Sequence, residues 1–254
     1  MAVYINLPTL DVDFIKPQRM SFDTPGGGME GGRNSLGEGI TIGLSGGPMI
    51  AGAFENCWVQ APEEHEYANW IAARMNGSFR FMVVPFLTDW MGPFPVLSGY
   101  PPVPQPIING IPHSDGALFA DGAGYSQATV FGTFAQSAAL NAGQIVVNVY
   151  GATRDLRHSD WMSTYHSVKG WRAWRYWECS DPADVSETVD GVSYSGKQYT
   201  LAIDVPLRQA VEAGQRIELA RPRCVMKFPA GFTMPWEAEG FWQSRPSMRF
   251  VEAF

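Results

Sequence analysis

The hydrophobic pattern of this chain is mostly that of β-strands. Apolar residues alternate with polar ones or form short runs, and turn dipeptides such as Asp190-Gly191 separate these runs. Strands are predicted at residues 79–84, 128–135, 144–150, 171–179, 199–204, 216–220, 223–228 and 248–251. Many short strands divided by turns are typical of a β-sandwich or a barrel, so the predicted fold class is mainly β.

Two segments have a helical pattern instead. The first helix is predicted to begin at Ala61-Pro62, because proline fits the first turn and the two glutamates that follow face the positive end of the helix dipole. Its predicted end is Asn76-Gly77, where glycine can adopt a left-handed cap. A second, shorter helix is predicted over residues 206–213, stopped by Gly214.

Two long loops interrupt the pattern. Residues 25–47 contain ten glycines, which favours a Gly-rich loop or arm with one short strand at residues 39–44. Residues 92–113 contain seven prolines, which exclude most ladder hydrogen bonds and predict an extended Pro-rich excursion. The length of 254 residues fits a single β-rich domain, residues 1–254, that carries both loops.

Charged residues are scarce and aromatic residues are abundant. Charged side chains make up 17% of the chain, below the roughly 25% of typical soluble domains, while aromatic residues reach 13%. With so few charges to solvate the exterior, part of the aromatic surface is expected to be covered by neighbouring subunits, which predicts an oligomer. The candidate interface residues are Trp171, Trp174, Tyr176, Trp177, Trp236 and Trp242.

The segment with three closely spaced tryptophans leaves alternatives open. On a strand, Trp171 and Trp177 share one face, and Trp174 and Tyr176 share the other. One face is expected to be core, and the other fits a subunit interface, further core or a platform on which sugar rings stack. A carbohydrate-binding β module is therefore the alternative function, with Trp171, Trp174 or Trp242 as the stacking residue.

The charge balance argues against nucleic acid and membrane as partners. The formal net charge is −7 and the basic residues are scattered, whereas a nucleic-acid binder needs a basic patch. The longest apolar run, residues 81–87, contains Pro85 and is too short to span a bilayer. Residues 1–14 contain no Lys or Arg and are not typical of a signal peptide. We expect a protein made in the cytoplasm, without membrane insertion.

Cysteine and histidine spacing does not indicate a metal site. Cys57, Cys179 and Cys224 lie far apart and form no C-x-x-C pair, which argues against a zinc site and against a disulfide framework. His158 and His166 do not form a helical metal-binding pair, so they are expected at the surface or an interface. No metal site is predicted.

Three motif matches are explained more simply by loops and turns. The segment around Ser45 formally matches a nucleophile elbow, but no helix pattern follows it. Residues 26–31 match the spacing of a dinucleotide fingerprint, but no strand pattern precedes them and no helix pattern follows. His113, Asp115 and Asp121 have the atoms of metal ligands, yet successive Asp-Gly turns account for both aspartates. No catalytic or cofactor-binding residue is predicted, and we expect a protein that is not an enzyme.

Four local patterns follow one another along the chain. They are Trp58 with the helix that holds Glu66 and Trp70 up to Asn76-Gly77; the double turn from Asp115-Gly116 to Asp121-Gly122; residues 206–214 with Arg221-Pro222-Arg223-Cys224-Val225-Met226; and the terminal Phe250-Val251-Glu252-Ala253-Phe254. Their order resembles the distal-tail or minor tail proteins of long, flexible-tailed phages and related prophages. The resemblance covers most of the chain from about residue 55 onward.

The resemblance implies a structural virion protein at the tail tip. Such proteins form a ring, commonly six-fold, that joins the tail tube to the baseplate hub and the host-recognition apparatus. The expected partners are copies of the chain itself, a tail tube protein and a hub protein, and the resemblance implies no catalytic residue. A ring with head-to-tail contacts needs two different complementary surfaces on each subunit, and loops rich in glycine and proline can serve as arms.

Overall fold

The computed structural model describes residues 3–26, 28–43, 48–86, 120, 130–189, 192–235 and 243–253. Several sequence predictions fall outside this part of the chain. They are the Pro-rich excursion 92–113, the possible metal ligands His113, Asp115 and Asp121, the elbow candidate Ser45, and the interface candidates Trp236 and Trp242.

Strands make up most of the regular secondary structure of the described residues, which confirms the mainly β fold class. The helices are α1 (Val12–Ile15) and α2 (Pro62–Met75). The strands are β1 (Arg19–Asp23), β2 (Gly28–Arg33), β3 (Gly39–Gly43), β4 (Ala51–Glu55), β5 (Met82–Pro85), β6 (Phe131–Phe134), β7 (Gln144–Tyr150), β8 (Met162–His166), β9 (Gly170–Trp174), β10 (Tyr176–Cys179), β11 (Ala183–Val189), β12 (Val192–Ile203), β13 (Arg216–Glu218), β14 (Arg223–Lys227) and β15 (Met248–Glu252).

The chain divides into two compact units. The first unit comprises Met1–Pro85 with Cys224–Phe254, and the second comprises Phe86–Arg223. This division does not decide whether residues 1–254 fold as one domain, so the single domain stays a prediction. The candidate surfaces described below each lie within one of the two units.

The first unit contains a five-stranded sheet in the order β1-β4-β15-β14-β5. Its core is aromatic. Phe54 meets Phe22 and Phe250 edge to face, with ring centroids 5.6 and 5.5 Å apart, and Phe250 also contacts Phe228. Edge-to-face ring pairs add a specific geometry to ordinary hydrophobic burial, so these residues fix how the strands of this sheet pack.

The helix α2 begins and ends where the sequence predicts. At its start, Glu64 Oε2 accepts hydrogen bonds from the backbone N–H groups of Gln60 at 2.8 Å and Ala61 at 3.1 Å, which satisfies donors that the first turn leaves unpaired. Glu64 also forms an ion pair with Lys16. At its end, Gly77 has a φ of +97°, the left-handed conformation that favours glycine. Local capping signals therefore fix both ends of this helix.

The second unit is built on an eight-stranded sheet in the order β10-β12-β7-β6-β13-β8-β9, with β11 paired to β12. The end strands β9 and β10 are consecutive in the chain and are separated by Arg175 alone. The strand predicted over residues 171–179 is therefore interrupted, and it pairs with β8 through its first half and with β12 through its second half. Because one short chain segment supplies both end strands, β9 and β10, the sheet must curl so that its two edges come close together. The sheet is therefore barrel-like.

The helix predicted over residues 206–213 is wrong. Leu207 and Val211, four residues apart, are both buried. Their backbone groups nevertheless pair outside the segment: the N–H of Leu207 donates to the carbonyl of Ala142 at 3.1 Å, and Val211 forms a bridge with Ala138. Pairing with a neighbouring segment satisfies the backbone groups that a helix would satisfy internally, so an apolar spacing of four residues does not require a helix here.

The Gly-rich segment contains more regular structure than predicted. The predicted strand at residues 39–44 is β3, whereas β2 was not predicted. The two strands pair antiparallel, with Glu30 opposite Thr41, and form a separate two-stranded sheet. We call this hairpin, residues 28–43, the arm.

Candidate interaction surfaces

The aromatic segment of the second unit has a buried side and an exposed side. Trp174 and Tyr176 are 2% and 3% exposed, whereas Trp177 is 65% exposed and Trp171 is half-buried. The prediction that one face of this segment is core is confirmed by the first pair. Burial leaves Trp174 and Tyr176 almost no side-chain surface for a neighbour. Of the described interface candidates, Trp171 and Trp177 keep the surface that an interface needs.

Arg175 holds the junction between β9 and β10. Its backbone N–H donates to Asp204 Oδ1 at 2.8 Å, and its Nε donates to Oδ2 at 3.3 Å. In return, the N–H of Asp204 donates to the carbonyl of Arg175 at 3.0 Å. The guanidinium also lies 4.7 Å from the centre of the Trp161 ring, a cation–π contact. These contacts give the bend a defined geometry, so β10 and its exposed Trp177 leave the junction in a set direction.

Trp171 belongs to a small aromatic group on the outer face of the sheet. It pairs across β8 and β9 with Tyr165, and the two rings meet edge to face with centroids 5.6 Å apart. The guanidinium of Arg223 lies 4.5 Å from the centre of the Trp171 ring. Tyr165 is 42% exposed. Sequence reasoning missed Tyr165 and Arg223, because the strand register that brings them to Trp171 is not visible in the sequence.

The hairpin of β11 and β12, residues 183–203, is fastened to the sheet by a carboxylate, and we call it the anchored hairpin. Glu187 Oε2 accepts hydrogen bonds from Thr133 Oγ1 at 3.2 Å, from Asn148 Nδ2 at 3.0 Å and from the Tyr150 hydroxyl. The bond from Tyr150 contributes most to holding the pKa of Glu187 below its ordinary value of 4.5, against the opposing effect of burial. The carboxylate is thus ionised at neutral pH and joins the hairpin to two other strands.

Apolar packing and close backbone approach also fasten this hairpin. Val185 and Tyr194 pack against Phe131 in the core cluster of the sheet, and the rings of Tyr194 and Phe131 meet edge to face at 4.9 Å. At Gly196 the backbone approaches so closely that an added Cβ would lie 2.2 Å from the carbonyl oxygen of Val149. Only glycine fits at this contact without displacing the strand.

The arm of the first unit is exposed and has an ordered tip. Its residues 30–33 and 35–40 are exposed to solvent. At the tip, Asn34 Oδ1 accepts hydrogen bonds from the N–H groups of Leu36 and Glu38, both at 2.9 Å. Leu36 is 82% exposed at this turn. The arm therefore presents a preformed turn with an apolar side chain at its apex.

The His, Cys, Asp and Glu side chains of the described residues include no candidate metal centre. Within the described ranges, no group of three or more His, Cys, Asp or Glu side chains is arranged to hold a metal ion, and Cys57, Cys179 and Cys224 form no disulfide. His158 is exposed, as predicted. His166 is 1% exposed, so its prediction as a surface or interface histidine is wrong. Burial, with a smaller effect from the charge of Arg172, lowers the pKa of His166 to about 4 and leaves it neutral at pH 7.

Comparisons with known proteins do not assign a family. No protein-family model matches the chain, and no curated protein matches it. For the part of the chain that the structure describes, no helix combines the length and apolar character needed to cross a bilayer. Function is therefore inferred from the sequence patterns and from the surfaces described above.

Proposed function

We propose that this chain is a structural, non-enzymatic subunit of a phage tail tip. Copies of the chain form a six-fold ring in the virion, and the ring joins the tail tube protein to the baseplate hub and the host-recognition apparatus. The proposal is supported by the resemblance of the sequence patterns to distal-tail proteins. The structural observation that carries it is the exposed arm with its ordered apolar tip.

The arm supports contact between subunits. A two-stranded hairpin is at best marginally stable by itself in water. The arm nevertheless holds a defined turn through Asn34 and places Leu36 at its apex. An exposed apolar side chain on a preformed turn loses little entropy when a neighbour covers it, so burial there favours association. A head-to-tail ring requires such a projecting surface on one side of each subunit.

A ring also requires a second, different surface, and the second unit offers one. Trp177 is 65% exposed on β10, and large aromatic side chains are enriched among the residues that dominate binding energy when interfaces bury them. Cys179, at the end of the same strand, is exposed as well. The low charged fraction of 17% supports the same interpretation, because interface cores are depleted in charge.

Imaging of the purified full-length chain tests the ring. By negative-stain electron microscopy we expect closed rings around a central channel, with six copies counted by native mass spectrometry. When the chain is co-expressed with the tube protein from the same tail, we expect the two to purify together. A monomer at every concentration tested, with no recruitment of the tube protein, would contradict the proposal.

Tyr165 and Trp171 favour one further candidate function, a carbohydrate-binding β module that acts in recognition of the host surface. This edge-to-face pair keeps aromatic surface on the outer face of the sheet, and sugar rings stack on such surfaces. Trp174 is buried and does not support stacking. A fluorescence titration with host polysaccharide should respond in the wild type and in Trp177→Ala but not in Trp171→Ala. No response in the wild type would remove this candidate.

A further inference from the structure

A polar cleft lies at one end of the curled sheet. The strand β7 ends at Tyr150, opposite Gly196, whereas β12 begins earlier, at Val192, so the anchored hairpin extends past the end of β7. Residues 151–155, which follow β7, form the opposing wall. The cleft has a volume of about 520 Å³. This size is typical of small-molecule sites, and the mouths of β-barrels are among the places where such sites occur.

The carboxylate of Asp155 lines the cleft and accepts two hydrogen bonds. Asp155 Oδ1 accepts a hydrogen bond from Lys197 Nζ at 2.7 Å and another from the Tyr199 hydroxyl at 3.1 Å. The hydrogen bond from Lys197 is the largest of the effects that lower the pKa of Asp155. Lys197 and Tyr199 share one face of β12 with the buried Leu201, so the cleft continues the inner face of the sheet. Among the described residues, no group donates to the second oxygen, Asp155 Oδ2.

Arg154 lines one wall of the cleft and forms an ion pair with Asp160. Arg154 donates from Nη1 to Asp160 Oδ2 at 2.8 Å and from Nη2 to Oδ1 at 2.7 Å. Asp160 is 4% exposed and also accepts from the backbone N–H of Arg157 at 2.8 Å. A bidentate pair of this kind holds the arginine side chain in one orientation. The charge of Arg154 is therefore compensated within the wall, which makes this wall rigid and electrostatically balanced.

The anchored hairpin supplies further polar groups to the same space. Asp184 lies opposite Lys197 in the register of β11 and β12, and Ser195 lies two residues before Lys197. Within the described residues, neither the Asp184 carboxylate nor the Ser195 hydroxyl forms a hydrogen bond, although the charge of Asp184 interacts with that of Lys197. The cleft thus combines unused acceptors on Asp155 and Asp184 with a hydroxyl and with an ammonium group.

We propose that this cleft binds a neutral saccharide. Each sugar hydroxyl can donate to a carboxylate while it accepts from the Lys197 ammonium or the Ser195 hydroxyl, and the cleft offers both partners side by side. A phosphate-like anion would be repelled by Asp155 and Asp184, because the nearby arginine is already paired. A divalent cation would have to compete with the Lys197 ammonium for the Asp155 carboxylate, and an apolar ligand would strip water from ionised groups without replacing their hydrogen bonds.

This site is separate from the Tyr165–Trp171 pair and does not depend on ring assembly. It adds a ligand-binding site to the proposed structural role, with recognition through hydroxyl groups instead of ring stacking. A tail-tip subunit with such a site would contact surface glycans while it holds the tail together. Failure of ring formation and failure of saccharide binding are therefore independent results.

Saturation-transfer difference NMR on the full-length wild type tests the site, because this method tolerates large assemblies. The probes are cellotetraose, chitotetraose and mannotetraose, with inorganic phosphate and calcium chloride as charged competitors. We expect saturable transfer to at least one tetrasaccharide, undiminished by either competitor. The absence of saturable transfer to all three sugars would overturn the proposal, and so would displacement by phosphate or calcium.

Four variants locate the binding. We expect Asp184→Ala and Ser195→Ala to weaken binding, with a dissociation constant raised about tenfold by Asp184→Ala. Asp181→Ala removes an exposed aspartate three residues away that does not line the cleft, and it should leave binding unchanged. Trp171→Ala should leave it unchanged as well. Binding that survives Asp184→Ala, or that is lost in Trp171→Ala, would overturn the cleft as the site.

Discussion

The two hairpins of this chain differ in what holds them. The anchored hairpin, residues 183–203, reaches the sheet through Glu187 and through the packing of Val185 and Tyr194. The arm, residues 28–43, is ordered by its own turn, and most of its residues are exposed. The anchored hairpin is stabilised by contacts with the sheet of its own unit, whereas the arm is ordered by the hydrogen bonds of its own turn. This difference is the physical basis for proposing that the arm meets a neighbouring subunit.

A pair of glycine substitutions gives the largest expected contrast between the hairpins. In the anchored hairpin, Gly196→Ala places a Cβ 2.2 Å from the Val149 carbonyl oxygen, so β12 must move away from β7. We expect the free energy of unfolding of the second unit to fall by about 3 kcal/mol. In the arm, Gly39→Ala meets no atom within 4 Å and should change stability by no more than about 0.5 kcal/mol. Urea denaturation of both variants measures the two values, and equal losses would contradict the comparison.

A pair of glutamate substitutions gives the next largest effect. Glu187→Ala leaves the buried side chains of Thr133 and Asn148 without their carboxylate acceptor. We expect a loss of about 2 kcal/mol, because an unpaired buried polar group costs most of its desolvation energy. Glu30→Ala on the exposed arm is the matched control and should be close to neutral. A neutral Glu187→Ala would show that the hairpin is held without this carboxylate.

The contribution of Glu187 should also depend on pH. A carboxyl group whose pKa is lower in the folded than in the unfolded state stabilises the fold above its unfolded pKa, and this stabilisation disappears as the pH falls through the folded pKa. The pKa of Glu187 is held below 4.5. The stability difference between wild type and Glu187→Gln should therefore be full at about pH 7 and vanish at strongly acid pH. A difference that stays constant in acid would rule out the ionised carboxylate as its source.

The smallest expected effect is local to the arm tip. Asn34→Ala removes the acceptor of the Leu36 and Glu38 N–H groups. Because the arm forms a separate two-stranded sheet, we expect faster hydrogen exchange at these two amides and no change in the global free energy of unfolding. A measurable loss of global stability would mean that the tip is coupled to the rest of the subunit.

Much of the fold could be predicted because its signals are local. The strand at residues 144–150 matches β7 to the residue, since a β-branched run bounded by turns requires no tertiary information. The ends of α2 were likewise set by Pro62, Glu64 and Gly77 within the segment itself. The alternation of this segment predicted that one of its two faces is core but not which one, and Trp174 and Tyr176, both predicted as interface candidates, occupy the core face.

The elements and contacts that the sequence did not predict depend on residues that lie far apart in the chain. The strand β11 was not predicted because its polar alternation resembles a loop, and only pairing with β12 and contact with the sheet give it a buried side. Glu187 acts on Thr133 and Asn148, 54 and 39 residues earlier in the chain, and no local pattern marks that relation. The local signals of residues 206–213 predict a helix, whereas the backbone partners that replace the helical hydrogen bonds, at residues 138–142, lie far away in the sequence.

Sedimentation velocity of three proteins tests the role of the arm most directly. Leu36→Ser removes the apolar tip of the arm, and Leu140→Ser removes a leucine that is 57% exposed in the second unit, against 82% for Leu36. We expect the wild type and Leu140→Ser to sediment as a closed oligomer and Leu36→Ser to sediment as a folded monomer. A wild type that is monomeric at every concentration, or a Leu36→Ser variant that assembles like the wild type, would contradict a subunit contact made through the arm.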